Sequence, residues 1–195
     1  MIEVAPVTLS GRHVRLEPLS LDHCGPLWAV ASDAELWRWT LNQIDSEEQL
    51  RRYIRAALES EAEGMALPFA IMAANGGEAI GSTRYGNIDR EHDRVEIGWT
   101  WVGRPWQRTA VNTEAKYLLL RHAFETIGCQ RVEFKTDVLN AQSRAALLRI
   151  GAKEEGIFRK HLHCDSGRWR DSAYYSVIAD EWPAVKAGLE RKLRH

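Results

Sequence analysis

The chain has 195 residues, 45% of them hydrophobic and 27% charged, which is the balance of a soluble globular protein and excludes a disordered or fibrous one. Its length fits one domain of the usual size of roughly 100–200 residues, so residues 1–195 are expected to form a single unit. Lys and Arg total 26 against 27 Asp and Glu, a net charge of −1 that gives no general attraction to nucleic acid or an anionic membrane.

In chain order, residues 13–19 alternate and read as a strand, and 21–31 as a short helix; 36–39 is too short to classify. Ser46 with Gln49 three residues on is a capping-box signature, and Leu50, Tyr53, Ile54, Ala57 and Leu58 form an apolar stripe, which predicts a helix over 46–63. Residues 69–74, the turn Asn75-Gly76-Gly77 and residues 78–88 read as a hairpin. A third strand, 94–102, places Val95, Ile97, Trp99 and Trp101 on one face and Glu96, Gly98 and Thr100 on the other. After a polar loop come a helix over 113–127 ending at Gly128, a strand over 131–138 and a helix over 140–150 stopped by Gly151. Strands over 152–163 and 171–179 flank Asp165-Ser166-Gly167, and a last helix begins near 180–183. The order predicts an α/β protein, a mixed sheet with helices on its faces.

Residues 1–13 lack the basic and apolar regions of a secretory signal. The longest apolar stretches, such as 68–74, fall far short of the roughly 20 residues that span a bilayer. Cys24, Cys129 and Cys164 are odd in number and dispersed, as suits a reducing compartment, so the cytoplasm is expected.

The common nucleotide and nucleophile motifs are missing. There is no G-x-G-x-x-G and no G-x-S-x-G, and the glycine spacing of residues 76–81 is followed by Ser82 where a P-loop needs lysine. His161, His163 and Cys164 resemble a metal cluster, but on a strand Cys164 points away from the two histidines; no metal is expected. Cys129 reads as a buried small hydrophobe.

The segment Arg104-Pro105-Trp106-Gln107-Arg108-Thr109-Ala110-Val111-Asn112-Thr113 is different. It leads from a strand into a helix N-terminus, where free N–H groups and the helix dipole favour an anion. Arg104 and Arg108 add charge, and Thr109, Asn112 and Thr113 add donors, so a pyrophosphate fits; a capped helix with solvated arginines fits equally.

With that loop the sequence resembles the GNAT acyl-CoA-dependent N-acetyltransferases of the RimJ/RimL-like branch. The resemblance runs from Leu9-Ser10-Gly11-Arg12-His13-Val14-Arg15-Leu16-Glu17-Pro18-Leu19 to Glu181-Trp182-Pro183. It includes Val95-Glu96-Ile97-Gly98-Trp99, Asn140-Ala141-Gln142-Ser143-Arg144-Ala145-Ala146 and Gly151-Ala152-Lys153-Glu154-Glu155-Gly156. Each motif is weak alone; their order and spacing carry the resemblance.

The resemblance implies a GNAT fold, a central mixed β-sheet flanked by helices, and acetyl transfer from acetyl-CoA to a primary amine by direct attack. A protein or peptide N-terminal α-amine is the implied acceptor, with small amines as the other class, and a homodimer is the family's expectation. Gln107, Arg108, Thr109, Ala110, Val111 and Asn112 fall on the family's pyrophosphate motif, with Ala110 and Asn112 departing from its glycines. Two parallel strands, here 94–102 and 131–138, are implied to splay and admit the pantetheine arm. A backbone N–H near Trp101 or Val102 would polarise the thioester carbonyl. Asn140 matches a pantetheine-contacting asparagine, or is only an N-cap. Glu96 matches the family's base, or is a strand carboxylate paired with a neighbour such as Arg94. The family's tyrosine acid is replaced by Leu147, and Ser143 takes its role in this branch, or merely caps its helix. Ala110 and the missing tyrosine motivate the alternative of a non-catalytic acyl-CoA-binding or scaffolding protein. Trp37, Trp39 and Tyr85 serve either the acceptor side or the core. The segment 1–103, net −7, supplies most of the implied acceptor side, and 104–149, net +4, the side of the anionic donor.

Overall fold

The computed structural model describes residues 1–194. Its elements are β1 (Leu9–Ser10), β2 (Val14–Pro18), α1 (Cys24–Ala31), α2 (Glu47–Ala62), β3 (Leu67–Ala73), β4 (Ala79–Asp89), β5 (Arg94–Val102), α3 (Ala110–His122), β6 (Arg131–Asp137), α4 (Ala141–Arg149), β7 (Lys153–His163), β8 (Trp169–Ile178) and α5 (Trp182–Leu193). The strands form one sheet in the order β1-β2-β3-β4-β5-β6-β8-β7. Neighbours are antiparallel except β5 and β6, which run parallel. The expected mixed sheet is therefore present, and β1, too short to show a period, is the strand not anticipated.

Two apolar layers cover the sheet. Leu118, Leu119 and Leu120 of α3, Leu147 of α4 and Trp182 and Leu189 of α5 pack with Phe69, Tyr85, Ile97 and Phe134 on one face. Leu27 of α1 and Leu50 and Ile54 of α2 pack with Trp37, Ala70 and Trp101 on the other. Helix α2 starts at Ser46, whose Oγ accepts from the Gln49 amide at 3.4 Å. The Gln49 side chain accepts in return from the Asp45 amide at 2.8 Å, one residue before the N-cap.

Helix α3 begins three residues earlier than its apolar period implied. Thr109 is itself the N-cap, its hydroxyl accepting from the Val111 amide at 3.3 Å, and Ala110 favours helix, so residues 110–112 join the first turn. After a π-type turn over Ala123–Ile127, the helix ends at Gly128, left-handed at φ 83°. Near the start of α3, buried Glu114 accepts from the amides of Arg12, His13 and Val14. Gly11 makes that approach possible, because a Cβ there would lie 2.4 Å from the Glu114 carboxyl carbon.

Strand β5 corrects the alternation read from sequence. Ser82 pairs with Trp101 and Arg84 with Gly98, so β5 carries one residue more than β4 across this stretch. That residue is accommodated by a bulge at Trp99, which takes φ 51°. Beyond it the faces exchange: Val95 and Ile97 pack beneath α3, whereas Trp101 packs with Trp37 beneath α1 and α2, their rings 5.3 Å apart. A strict period of two cannot foresee such an exchange.

Candidate active site

The β5–β6 ladder is short. Only Arg94, Val95 and Glu96 pair with Arg131, Val132 and Glu133, and beyond them the strands separate into a cleft. Cross-strand hydrogen bonds that parallel neighbours normally continue are thus given up on both edges here. The unpaired edge of β5 leads to the loop at α3, and β6 leads to Asn140 and α4.

On the loop side, Arg104 to Trp106 form a single 3-10 turn, and Arg104 is held by Asp33 at 2.9 Å. The Gln107 amide donates to the Val102 carbonyl at 3.0 Å and pins the loop to the end of β5. Arg108 is exposed and left-handed at φ 60°, and Thr109 donates its hydroxyl to the Trp106 carbonyl at 2.6 Å. The Val111 amide is taken by Thr109, and the other first-turn amides, of Ala110, Asn112 and Thr113, lack intrahelical acceptors. Arg104 is thus a structural arginine, and Arg108 is the cation left for an anion.

Across the cleft, Asn140 caps α4 by accepting from the Ser143 amide at 3.0 Å. The Ser143 hydroxyl itself is half-buried and without a hydrogen bond among the described residues. Of the two readings for Ser143, capping therefore belongs to Asn140. Arg144 is spent on Tyr175 and Glu154, both at 3.0 Å. Leu147 lies in the core.

The opposite face holds the carboxylate. Glu96, only 2% exposed, accepts at Oε2 from Asn87 at 2.7 Å and pairs through the same oxygen with Lys135 at 3.0 Å. The neighbour it pairs with is thus Lys135, while Arg94 goes to Asp89 and Glu133. Oε1 makes no hydrogen bond among the described residues and lies over Gly98, where a Cβ would come within 2.9 Å of it. The Trp99 indole follows, seated on Gly86, at which a Cβ would approach the ring to 2.3 Å. Lys135 lies 5.7 Å from the centre of that indole and Arg84 4.8 Å, with Tyr53 of α2 on the far side of Arg84 at 5.2 Å. Of these groups Tyr53, Arg84 and Trp99 border a pocket of about 510 Å³ between α2, the α1–α2 connection and the β7–β8 turn, which contributes Asp165; Glu96 and Lys135 lie behind Trp99, outside its lining.

Between the two sides stands Lys116 of α3. Its Nζ donates to Thr100 Oγ1 at 2.6 Å, and Thr100 shares a 2.7 Å hydrogen bond with Thr83. Burial pulls the Lys116 ammonium down to about 7, with the negative charge of Glu96 opposing. Burial likewise pushes the Cys129 thiol up to about 12, so this cysteine is no thiolate nucleophile. Trp37 and Tyr85 are core residues, the latter donating to the Leu119 carbonyl at 2.6 Å. Trp39 lies outside the core beside Arg38 and Arg168. His161 meets the rings of Phe158 and Tyr174 edge to face, and no group of three metal-ligating side chains occurs among the described residues.

A family model for the acetyltransferase (GNAT) domain matches residues 13–153. The chain belongs to the GNAT acetyltransferase family. Among relatives of this GNAT protein, YdaF, a candidate ribosomal N-acetyltransferase of Bacillus subtilis (strain 168), is 34% identical over 110 residues, 56% of this chain and 59% of YdaF. The structure of a candidate acetyltransferase from T. thermophilus matches with a TM-score of 0.89 at 38% identity, over 98% of this chain and all of that one. Mycobacterium smegmatis RimJ, in complex with CoA-disulfide, matches in fold with a TM-score of 0.83 at 24% identity, over 97% of this chain and 96% of that one. No helix among the described residues is long and apolar enough to cross a membrane.

Sequence reasoning passed over Arg84, Lys116 and Lys135. Arg84 had a visible signal, as the only charged residue within 79–88. Lys135 alternates with Phe134 and Thr136 and looks like an ordinary solvent-facing strand residue.

Proposed function

We propose that this GNAT protein transfers an acetyl group from acetyl-CoA to a primary amine by direct attack, with no acetylated-enzyme intermediate. The observation that carries the proposal is the cleft between β5 and β6, which has a helix N-terminus at one end and an unpartnered carboxylate oxygen, Glu96 Oε1, beside it. In this reading the amides from Arg108 to Thr113 hold the pyrophosphate of CoA, and the Arg108 guanidinium adds charge. Ala110 puts a methyl where the family has glycine, and Asn112 adds a side-chain amide. The freed edge of β5 pairs with the pantetheine arm, and Asn140 borders it from β6. A backbone N–H at Trp101 or Val102 donates to the thioester oxygen as charge develops there.

The reaction needs a neutral amine. Its nitrogen attacks the thioester carbonyl carbon, the C–N bond forms and the C–S bond breaks. The amine proton passes to Glu96 Oε1, directly or through water, and the departing sulfur takes a proton from the Ser143 hydroxyl, which solvent restores. Lys135 and Asn87 hold the other Glu96 oxygen and so fix the direction of the first. An N-terminal α-amine, with a pKa of about 7.7–8.0, loses its proton more readily than a lysine near 10.4, which favours a peptide N-terminus as acceptor. The ribosomal designation of YdaF agrees with that choice.

Thermal shift and thiol release test the proposal together. Acetyl-CoA at about 100 times its Kd should stabilise the protein by roughly 2.7 kcal/mol. Thiol release should then depend on added amine, and fall in Glu96→Gln and Ser143→Ala with the CoA shift kept. A shift without turnover against any amine would instead establish a non-catalytic acyl-CoA binder, and no shift would end both readings.

A further inference from the structure

Among the described residues the buried charged side chains nearly all have a polar partner. Glu96 has Lys135, Glu114 has three backbone amides, Asp137 has Arg168, Lys116 has Thr100, and Arg170 donates to Ser172. Arg84 is the exception. It is 7% exposed, yet its guanidinium has no hydrogen bond and no ion pair among the described residues. A guanidinium cannot shed its proton, and its nitrogens are not among the fully enclosed unpartnered atoms, so they open onto the pocket, where an acceptor can reach them.

The fold nonetheless builds a place for it. Tyr53 and Trp99 approach the guanidinium through their rings at 5.2 and 4.8 Å. Aromatic rings meet the charge but offer no oxygen to the N–H donors. Those donors are presented in a planar fork that matches a carboxylate. Arg84 borders the 510 Å³ pocket, where Arg52, exposed and unpaired among the described residues, adds a second cation. Asp165, the pocket's carboxylate, is already engaged by the Gln43 amide at 3.1 Å. The pocket is thus locally cationic, opposite to the net −7 of the segment that supplies most of it.

We propose that Arg84 anchors a carboxylate of the acceptor, so that the amine acetylated here belongs to a molecule carrying a carboxylate near that amine. The inference rests on the transferase reading for the identity of the ligand as acceptor. Its geometry comes from the shared indole: Arg84 and Lys135 both flank Trp99, and Lys135 is bonded to Glu96. A carboxylate held at Arg84 leaves the amine on the Glu96 side of the ring. Two sources offer this chemistry, the free carboxylate of a small amino acid and an acidic side chain next to a peptide N-terminus.

Matched acceptors separate these sources. Glycine is compared with glycinamide, and the C-terminally amidated peptide Ser-Asp-Ala with Ser-Asn-Ala, on wild type, Arg84→Gln and Arg84→Lys. The readout is the wild-type to variant ratio of kcat/KM for each acceptor, which cancels differences in amine basicity. For at least one carboxylate-bearing acceptor Arg84→Gln should lower kcat/KM tenfold or more through KM. Its amide partner should change less than threefold, and Arg84→Lys should recover part of the loss. Equal ratios for acid and amide in both pairs would overturn the proposal. A second arm needs no turnover: in wild type the Trp99 indole N–H resonance should shift on titration with N-acetylglycine and not with its amide, and in Arg84→Gln with neither. If acetyl-CoA neither binds nor is cleaved, the transferase reading fails while this titration still decides the carboxylate anchor. A shift that persists in Arg84→Gln would refute it.

Discussion

The two sides of the β5–β6 cleft are built by different means. The side proposed for the donor is made of backbone: a helix N-terminus, a left-handed residue at Arg108, a capped turn and a freed strand edge. The side proposed for the acceptor is made of side chains from distant parts of the chain, Tyr53, Arg84, Glu96, Trp99 and Lys135, brought together by a bulge and two glycines. Backbone recognition suits a ligand common to a family, because amides at a helix N-terminus tolerate changes of side chain. Side-chain recognition is where one member differs from another.

Substitutions that injure one side and spare the other test this division. The largest effect is expected at Glu96→Gln. Turnover should fall by roughly 10²–10⁴-fold, the usual worth of a general base, with the CoA-induced thermal shift retained. Because this change also strands Lys135, the double variant Glu96→Gln/Lys135→Met should recover stability but not turnover. Recovery of turnover would reduce Glu96 to a structural partner.

Lys116, between the two sides, gives the next effect. Its pKa is near 7 folded against an ordinary 10.5 unfolded. Folding therefore expels a proton, so this group's contribution to stability is lowest below about pH 7 and rises as pH increases toward 10.5. Between pH 7 and 9 the rise is roughly 2 kcal/mol. Denaturant titrations at both pH values should show that rise in wild type relative to Lys116→Met, in which it is absent. A constant difference between the two proteins would mean that Lys116 keeps its proton when folded.

Gly86→Ala should then cost about 1–3 kcal/mol by driving a methyl against the Trp99 ring. It should raise the acceptor KM while leaving CoA affinity within about twofold, and calorimetry with CoA together with acceptor kinetics would show both. The smallest effect belongs to the donor side. Ala110→Gly should tighten CoA binding at a stability cost below about 1 kcal/mol, the helix penalty of glycine. Weaker binding would show that the Ala110 methyl is accommodated without loss.

The same contrast explains what the sequence discloses. The order of elements, the apolar stripe of α2 and the cleft strands follow from local periods and caps, since Ser46, Gly128 and Gly151 each act within a few residues of where they stand. The donor loop is legible for that reason, apart from the three residues by which Thr109 advances α3. Glu96 is legible by resemblance, but its partner is not, because Lys135 lies on a different strand and meets it only through the parallel β5–β6 pairing. Trp101 is assigned to the wrong face by alternation, because one extra residue at Trp99 reverses every later side chain. Arg84 is visible in the sequence as the lone charge within residues 79–88, but its lack of a partner is not, because no local pattern records a missing contact.

In the proposed reaction acetyl passes directly from thioester to amine within the cleft. Rapid mixing of the protein with excess acetyl-CoA, with and without an amine acceptor, measures it most directly. Free thiol should appear only when amine is present and in amounts that match acetylated amine. A burst of thiol equal to the protein concentration without any acceptor would contradict the account, because it would show that the acetyl group first rests on the protein.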